Sequence, residues 1–326
     1  MPLSKDNQRV ARANDLVWRH LLIRPKAPPE DARVALVAPA GPLPEGGLAR
    51  AIGRVRGLGW EPVVGLNADT RSGYLAGTDD RRLHDLNEAL RSDEIDMIWM
   101  LRGGYGTMRI LADVDFDSLA RRPRPLVGFS DNTAVHLAAQ RHGVITFHGP
   151  HPAAADLAGF SLECLRDTLR PEPAGILPHP EGAERPVALE GGVAEGPLVG
   201  GNLSLLAATV GTPYEVRAAG AILFIEEVGE PAYRIDRLLS QLLLAGALDG
   251  VAGVAVGAVS ECPDTGATDV PEPSLVLHER LRHLGVPIVY GFPFGHIPRG
   301  WTLPLGVRAR LDAGAATLQL LEPAVE

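Results

Sequence analysis

The chain has 326 residues, too many for one small core, so two domains are expected. A net charge of −9 with no Lys/Arg stripe argues against nucleic acid as a partner. The two cysteines, Cys164 and Cys262, lie far apart with no CxxC and read as reduced thiols, not as a disulfide framework or a zinc site.

Residues 1–30 read as an N-terminal extension. Leu16-Val17-Trp18 and Leu21-Leu22-Ile23 fit one helical face, but Arg19 and His20 interrupt them and the patch is too short for a signal peptide. An amphipathic leader helix or a tail, ended at Lys26-Ala-Pro-Pro29, is expected. No run approaches the ~18 apolar residues of a membrane span. The default location is cytoplasmic, with no membrane partner.

Residues 31–158 alternate strands and helices. Arg33 to Ala38 is a continuous apolar run closed by Pro39-Ala-Gly-Pro42, the profile of a buried parallel strand. A helix follows from Leu48 to Leu58, then a strand from Glu61 to Val64. After a loop from Ser72, Asp79 or Asp80 is placed to cap a helix from Arg82 to Leu90. Asp96 to Leu101 is the third strand and runs into Arg102-Gly-Gly-Tyr-Gly106. Helical stretches follow at Met108–Leu111 and Phe116–Leu119. The strand from Leu126 turns on Gly128, presents Ser130 and enters a helix that Gly143 closes. This alternation predicts a parallel α/β layer.

Residues 159–195 lose the rhythm and read as an interdomain connection, with one helical stretch at Leu162–Leu169. Residues 196–326 form a second, mixed α/β domain. Gly200-Gly-Asn-Leu-Ser204 opens a small helix, and Ala221 to Ile225 is a buried strand ending on Glu226 and Glu227. Ile235, Leu238, Leu239, Leu242 and Leu243 mark an amphipathic helix behind Pro231. Val251–Val259 is a strand, Pro273–Leu284 a helix and Val286–Tyr290 a strand that leads to the loop ending at His296. Leu303–Leu311 and Ala316–Leu321 close the chain as strands.

In α/β folds ligands gather beyond the carboxyl ends of the strands. Four such ends here carry chemistry: Arg102–Gly106, Ser130, Glu226/Glu227 and His296. A nucleophilic serine needs a base, and the base needs a group that holds its tautomer. Ser130, His296 and Glu226 can fill these roles, in the chain order of the α/β-hydrolase triad and from two domains, so the site is expected in the cleft between them. Plainer readings stand beside each. Ser130 or Asp131 equally suits a helix N-cap, His296 is one of ten histidines, Glu226 can be a solvated strand end, and the glycine loop can be a plain turn. His148-Gly-Pro-His151 invites a metal, but Pro150 and the lack of a nearby carboxylate speak against one. No GxxxxGK[ST] occurs, so a nucleoside-triphosphate pocket is not supported.

Six stretches resemble, in order, those of the LD-carboxypeptidase family of serine peptidases, which includes muramoyltetrapeptide carboxypeptidases and the microcin C self-immunity hydrolases. They are Val37-Ala-Pro-Ala-Gly-Pro42, Arg102-Gly-Gly-Tyr-Gly106, Gly128-Phe-Ser-Asp-Asn-Thr133, Gly200-Gly-Asn-Leu-Ser204, Leu223–Glu230 with Tyr233–Arg237, and Gly291-Phe-Pro-Phe-Gly-His296 followed by Leu303-Pro-Leu-Gly306. The resemblance implies a flavodoxin-like parallel-sheet N-terminal domain joined to a swivelling β/β/α-type C-terminal domain. It implies a Ser130–His296–Glu226 triad, an oxyanion hole from the backbone N–H groups of Gly104 and Asp131, and a substrate contact from Asn202. Arg102, Arg234 and Arg237 are candidates for binding substrate carboxylates, and each equally suits a structural ion pair. It further implies a cytoplasmic homodimer without metal or cofactor that releases D-alanine from murein tetrapeptides during peptidoglycan recycling. Two alternatives are a hydrolase of peptidyl or aminoacyl adenylate amides and a non-catalytic peptide-binding protein.

Overall fold

A computed structural model describes residues 22–263 and 270–326. The leader-helix reading of the N-terminus lies almost wholly outside the described residues. Ile23 itself makes a parallel bridge to Val144, and Pro25 and Ala27 exchange backbone hydrogen bonds with Glu326. No helix among the described residues is long and apolar enough to cross a membrane.

The strands in chain order are β1 (Arg33–Val37), β2 (Glu61–Val64), β3 (Met97–Met100), β4 (Leu126–Gly128), β5 (Thr146–His148), β6 (Gly175–Ile176) and β7 (Val187–Glu190). They continue as β8 (Val193–Asn202), β9 (Ile222–Val228), β10 (Gly253–Ser260), β11 (Ile288–Tyr290), β12 (Leu303–Leu305), β13 (Arg308–Asp312) and β14 (Thr317–Leu320). The chain divides into two compact units. One comprises Ile23–Pro173, Ile297–Leu305 and Pro323–Glu326; the other contains Ala174–His296 and Gly306–Glu322.

The first unit is built on a six-stranded sheet in the order β12-β5-β4-β3-β1-β2. All neighbours are parallel except β12, which runs antiparallel to β5. The inner strands are apolar on both faces because helices cover both, and Met97, Ile98, Trp99, Met100, Leu126 and Val127 are all fully buried. Since β1, β3, β4 and β5 are parallel, their following loops share one edge of the sheet. Those loops carry Pro39–Pro42, Arg102–Gly106, Ser130 and His151 respectively.

The second unit holds an eight-stranded sheet in the order β6-β14-β13-β8-β9-β10-β11-β7. Its centre, β8 to β11, is parallel, while β13, β14, β6 and β7 pair antiparallel. Both sheets are thus of the α/β kind, one nearly all parallel and one mixed. The parallel core again aligns strand ends, so that Asn202, Glu226 and the loop after β11 lie toward one edge.

Several local expectations are corrected. The cap of the helix Asp79–Arg91 is Thr78, whose hydroxyl accepts from the Arg81 N–H at 3.4 Å; Asp79 instead pairs with Arg82 and Arg109. Gly200–Gly201 lies inside β8, and the helix begins only at Leu203. A Cβ on Gly200 would sit 1.8 Å from the Phe224 carbonyl oxygen, so these glycines permit a strand rather than break one. Leu303–Leu311 is two strands in different sheets, separated at Gly306 with φ +96°. Finally, Ser130 does not cap a helix. A 3-10 turn spans Ser130–Asn132, the α-helix runs Thr133–Arg141, and Asn132 stands at its N-cap position.

That helix carries a fully buried imidazole, His136, whose Nε2 lies 2.8 Å from the Gly128 carbonyl oxygen. Burial depresses its pKa from 6.5 to about 4, against the weaker opposing effect of the Gly128 bond. A depressed value means the unfolded chain takes up the proton first. Stability therefore falls as pH drops from the unfolded value toward the folded one, by about 3 kcal/mol for a shift of this size. Urea unfolding between pH 7 and 4 should show this slope in the wild type, and His136→Leu should flatten it. An unchanged slope would contradict the assignment.

Candidate active site

Ser130 is presented by backbone strain. It has φ +61°, in the left-handed region that side chains avoid at a cost of roughly 1–2 kcal/mol. The strand leading to it needs Gly128, where a Cβ would stand 2.7 Å from the Met100 side chain and 3.0 Å from Asn132 Nδ2. The turn is tied to the segment after the glycine loop. Asp131 accepts the Thr107 N–H on its carboxylate at 2.8 Å, and its carbonyl accepts the Thr107 hydroxyl at 2.7 Å. Burial raises the Asp131 pKa, while the Thr107 bonds oppose that rise. Asn132 Nδ2 donates to the Arg102 carbonyl at 3.3 Å.

The glycine loop lies directly against the serine. A Cβ on Gly103 would be 2.7 Å from Ser130 Cβ and 2.9 Å from its Oγ. The loop is held from behind by the Gly41 N–H, which donates to the Gly103 carbonyl at 2.9 Å. Gly104 and Gly106 take φ +103° and +128°, which side chains rarely adopt. Gly103→Ala must displace Ser130, and a nucleophile moved by about 1 Å loses on the order of 10²-fold in rate. Labelling of Ser130 by a serine-directed phosphonate should slow by that factor; labelling at the wild-type rate would refute the contact.

In the second unit β9 alternates its two carboxylates to opposite sides. Glu226 accepts from His296 Nδ1 at 2.7 Å, and both side chains are largely shielded from solvent. Gly295, with φ +106°, allows the approach, since a Cβ there would lie 2.8 Å from Glu226 Cβ. The histidine loop is anchored by Phe292 and Phe294, both buried, with Phe294 edge-on to Phe224 at 5.8 Å. Burial alone depresses the His296 pKa. The Glu226 hydrogen bond and charge, with the charges of Glu227 and Glu261, outweigh it and hold the value above 6.5. Nδ1 then keeps its proton on the carboxylate side, leaving Nε2 to exchange one with a substrate or nucleophile.

Glu227 points the other way. Its carboxylate accepts from the Ser204 N–H at 2.8 Å, the Ser204 hydroxyl at 2.7 Å, Asn202 Nδ2 at 3.1 Å and the Val228 N–H at 2.8 Å. Burial raises its pKa, and these bonds oppose the rise. Asn202 is buried, and its Oδ1 also caps the following helix by accepting from the Leu205 N–H at 3.3 Å. Arg102 is exposed and donates from Nη1 to the Pro42 carbonyl. Arg234 pairs with Glu230 at 3.2 Å, and the Arg237 guanidinium lies 5.5 Å from the Tyr233 ring centre.

Ser130, Asp131, Arg102 and Gly104 therefore gather at one strand edge of the first unit, and Glu226, His296 and Asn202 at one edge of the second. Two residues at these edges escape sequence reasoning. Gly103 was hidden among neighbouring glycines, since composition signals close approach without saying which Cα makes it. His151 stands out in the sequence only as half of the pair His148-Gly-Pro-His151. Its ring stacks on Phe129 at 4.1 Å, and its Nε2 lies 3.2 Å from Asn132 Nδ2.

Comparison with known proteins gives matches in both units. The LD-carboxypeptidase N-terminal domain matches residues 34–149, and the LD-carboxypeptidase C-terminal domain matches residues 195–311. A protein of Streptomyces coelicolor is 42% identical over 315 residues, covering 93% of this chain and 98% of its own. The murein tetrapeptide carboxypeptidase of Pseudomonas aeruginosa is 35% identical over 291 residues, 87% of this chain and 94% of its own. Among solved structures, a muramoyltetrapeptide carboxypeptidase from Oxalobacter formigenes superposes with a TM-score of 0.77 at 33% identity, covering 88% of this chain and 97% of that one.

Proposed function

The chain belongs to the LD-carboxypeptidase family of serine peptidases, and on that premise we propose that it hydrolyses the L,D-amide bond of murein tetrapeptides to release the terminal D-alanine. The substrate follows the activity for which the Pseudomonas and Oxalobacter relatives are named. The observation that carries the chemistry is the 2.7 Å bond from His296 Nδ1 to a buried carboxylate, Glu226. It is the orienting bond that a serine hydrolase's base requires.

In this reading His296 Nε2 takes the Ser130 proton as Oγ attacks the amide carbonyl. The backbone N–H groups of Gly104 and Asp131 receive the oxyanion, where loss of one donor typically costs ~3–4 kcal/mol. His296 then protonates the departing D-alanine nitrogen, and water, activated by the same imidazole, clears the acyl-enzyme. Arg102 and Asn202 are assigned to substrate, Asn202 from the end of β8, where it also caps the following helix. The reaction serves peptidoglycan recycling in the cytoplasm, in a homodimer.

The test is mass spectrometry of tetrapeptide incubated with wild type and with Ser130→Ala. D-Alanine and tripeptide should appear with the wild type only, with or without chelator. Release by Ser130→Ala at the wild-type rate would sink the proposal. Cleavage of a peptidyl or aminoacyl adenylate amide in place of tetrapeptide would replace the substrate and leave the nucleophile.

A further inference from the structure

Ser130 has a histidine beside it that is not His296. His151 follows β5, next to β4 in the same sheet, and is buried. Its Cε1 would stand 3.1 Å from a Cβ on Gly103, the position that would also touch Ser130 Oγ. Proximity alone would make it a competing base, but its hydrogen bonds argue otherwise. Phe129, one residue before Ser130, lies past the last paired residue of β4, and its N–H points at His151 Nε2 at 3.4 Å. Asn132, two residues after Ser130, directs Nδ2 at the same nitrogen at 3.2 Å. The backbone N–H can only donate, so Nε2 is the lone-pair nitrogen and the ring proton belongs on Nδ1.

The same Asn132 amide group reaches the Arg102 carbonyl of the glycine loop. One imidazole nitrogen thus holds both flanks of a left-handed serine and, through Asn132, the loop that faces it. The stacked ring contact with Phe129, inclined by 30°, restrains the plane of the imidazole whose lone pair faces both donors. A backbone held at φ +61° persists only where its surroundings over-determine it.

We infer that His151 is a positioning residue: as a neutral imidazole accepting at Nε2, it clamps the nucleophile turn from both sides and takes no part in proton transfer. The inference rests on the reading of Ser130 as the nucleophile. It predicts that the acceptor matters, not the ring. Glutamine can place Oε1 near the Nε2 position, asparagine is too short, and phenylalanine keeps the stack on Phe129 without an acceptor.

The experiment compares His151→Gln, His151→Asn and His151→Phe with wild type. It measures phosphonate labelling of Ser130 without substrate, kcat and KM on tetrapeptide, and thermal unfolding to confirm that each variant is folded. His151→Asn and His151→Phe should lower the labelling rate and kcat together by ~10–100-fold, with KM within about threefold, the cost of a nucleophile slightly out of place. His151→Gln should restore both to within about threefold of wild type. Wild-type labelling in the asparagine and phenylalanine variants, or a glutamine variant as slow as they are, overturns the inference. The Gln–Asn contrast decides the matter if the phenylalanine variant does not fold. A wild-type protein that neither labels nor hydrolyses removes the nucleophile itself, whereas a labelled wild type that spares tetrapeptide corrects only the substrate.

Discussion

Replacing Ser130 with alanine should lower kcat on tetrapeptide by about 10⁵-fold or more, with tetrapeptide still bound, because the proposed acyl transfer has no second nucleophile. The residual rate would come from the oxyanion donors and from binding alone. The backbone supplies an independent check. At φ +61° alanine is as uncomfortable as serine, whereas glycine is not. Ser130→Gly should therefore be equally inactive yet more stable than Ser130→Ala by about 1 kcal/mol in urea unfolding. Measuring kcat and stability for both variants separates a nucleophile held in strain from a serine that merely fills a turn. Activity in either variant, or equal stability in both, would contradict it.

Exchanging Glu226 for glutamine changes both the size and the pH dependence of the activity. In the proposed mechanism the base acts only when His296 is neutral, so kcat/KM should rise with pH through the His296 pKa, which Glu226 helps to hold above 6.5. Glutamine removes the carboxylate charge and strips out the leading contributions that raise this value, leaving burial, which lowers it, opposed only by the smaller effects of Glu227 and Glu261. The acid limb of the profile should move to lower pH. At the same time the plateau should fall by roughly 10⁴-fold, because the amide no longer enforces the productive tautomer. A pH series of kcat/KM on both proteins reads the two effects together. A variant whose acid limb stays in place, or rises, would show that Glu226 does not set the charge of this imidazole.

The features legible in the sequence are those written in local chemistry. Buried parallel strands appear as apolar runs, as at Arg33–Val37 and Met97–Met100, and the strand-to-turn profile at Leu126–Ser130 announces itself through Gly128. What escaped is either too short or written against local propensity. β5 is three residues long and has no period to detect. β8 hides because Gly200 and Gly201 look like a loop until Phe224 of the neighbouring strand is seen pressing on them. Within the site, the reactive residue types could be picked from strand ends, but their partners could not. The Asp131–Thr107 bonds and the His151 acceptor join residues about 20 apart in sequence, through the register of separate strands, which no local pattern records.

The return of the chain to its first sheet has a consequence for biosynthesis. β12 pairs with β5 only after residues 174–296 have been made, and Glu326 exchanges hydrogen bonds with Pro25 and Ala27 at the very end. A nascent chain on the ribosome therefore carries β5 as an open strand edge until β12, which begins 155 residues after β5 ends (148 to 303), has been synthesised. Open edges invite pairing with other chains. Cutting the gene after residue 173 would make that vulnerable interval permanent, so the Ser130-bearing unit is poorly suited to expression as a simple N-terminal fragment. A permuted gene that supplies residues 297–305 directly after residue 173 would restore the missing edge.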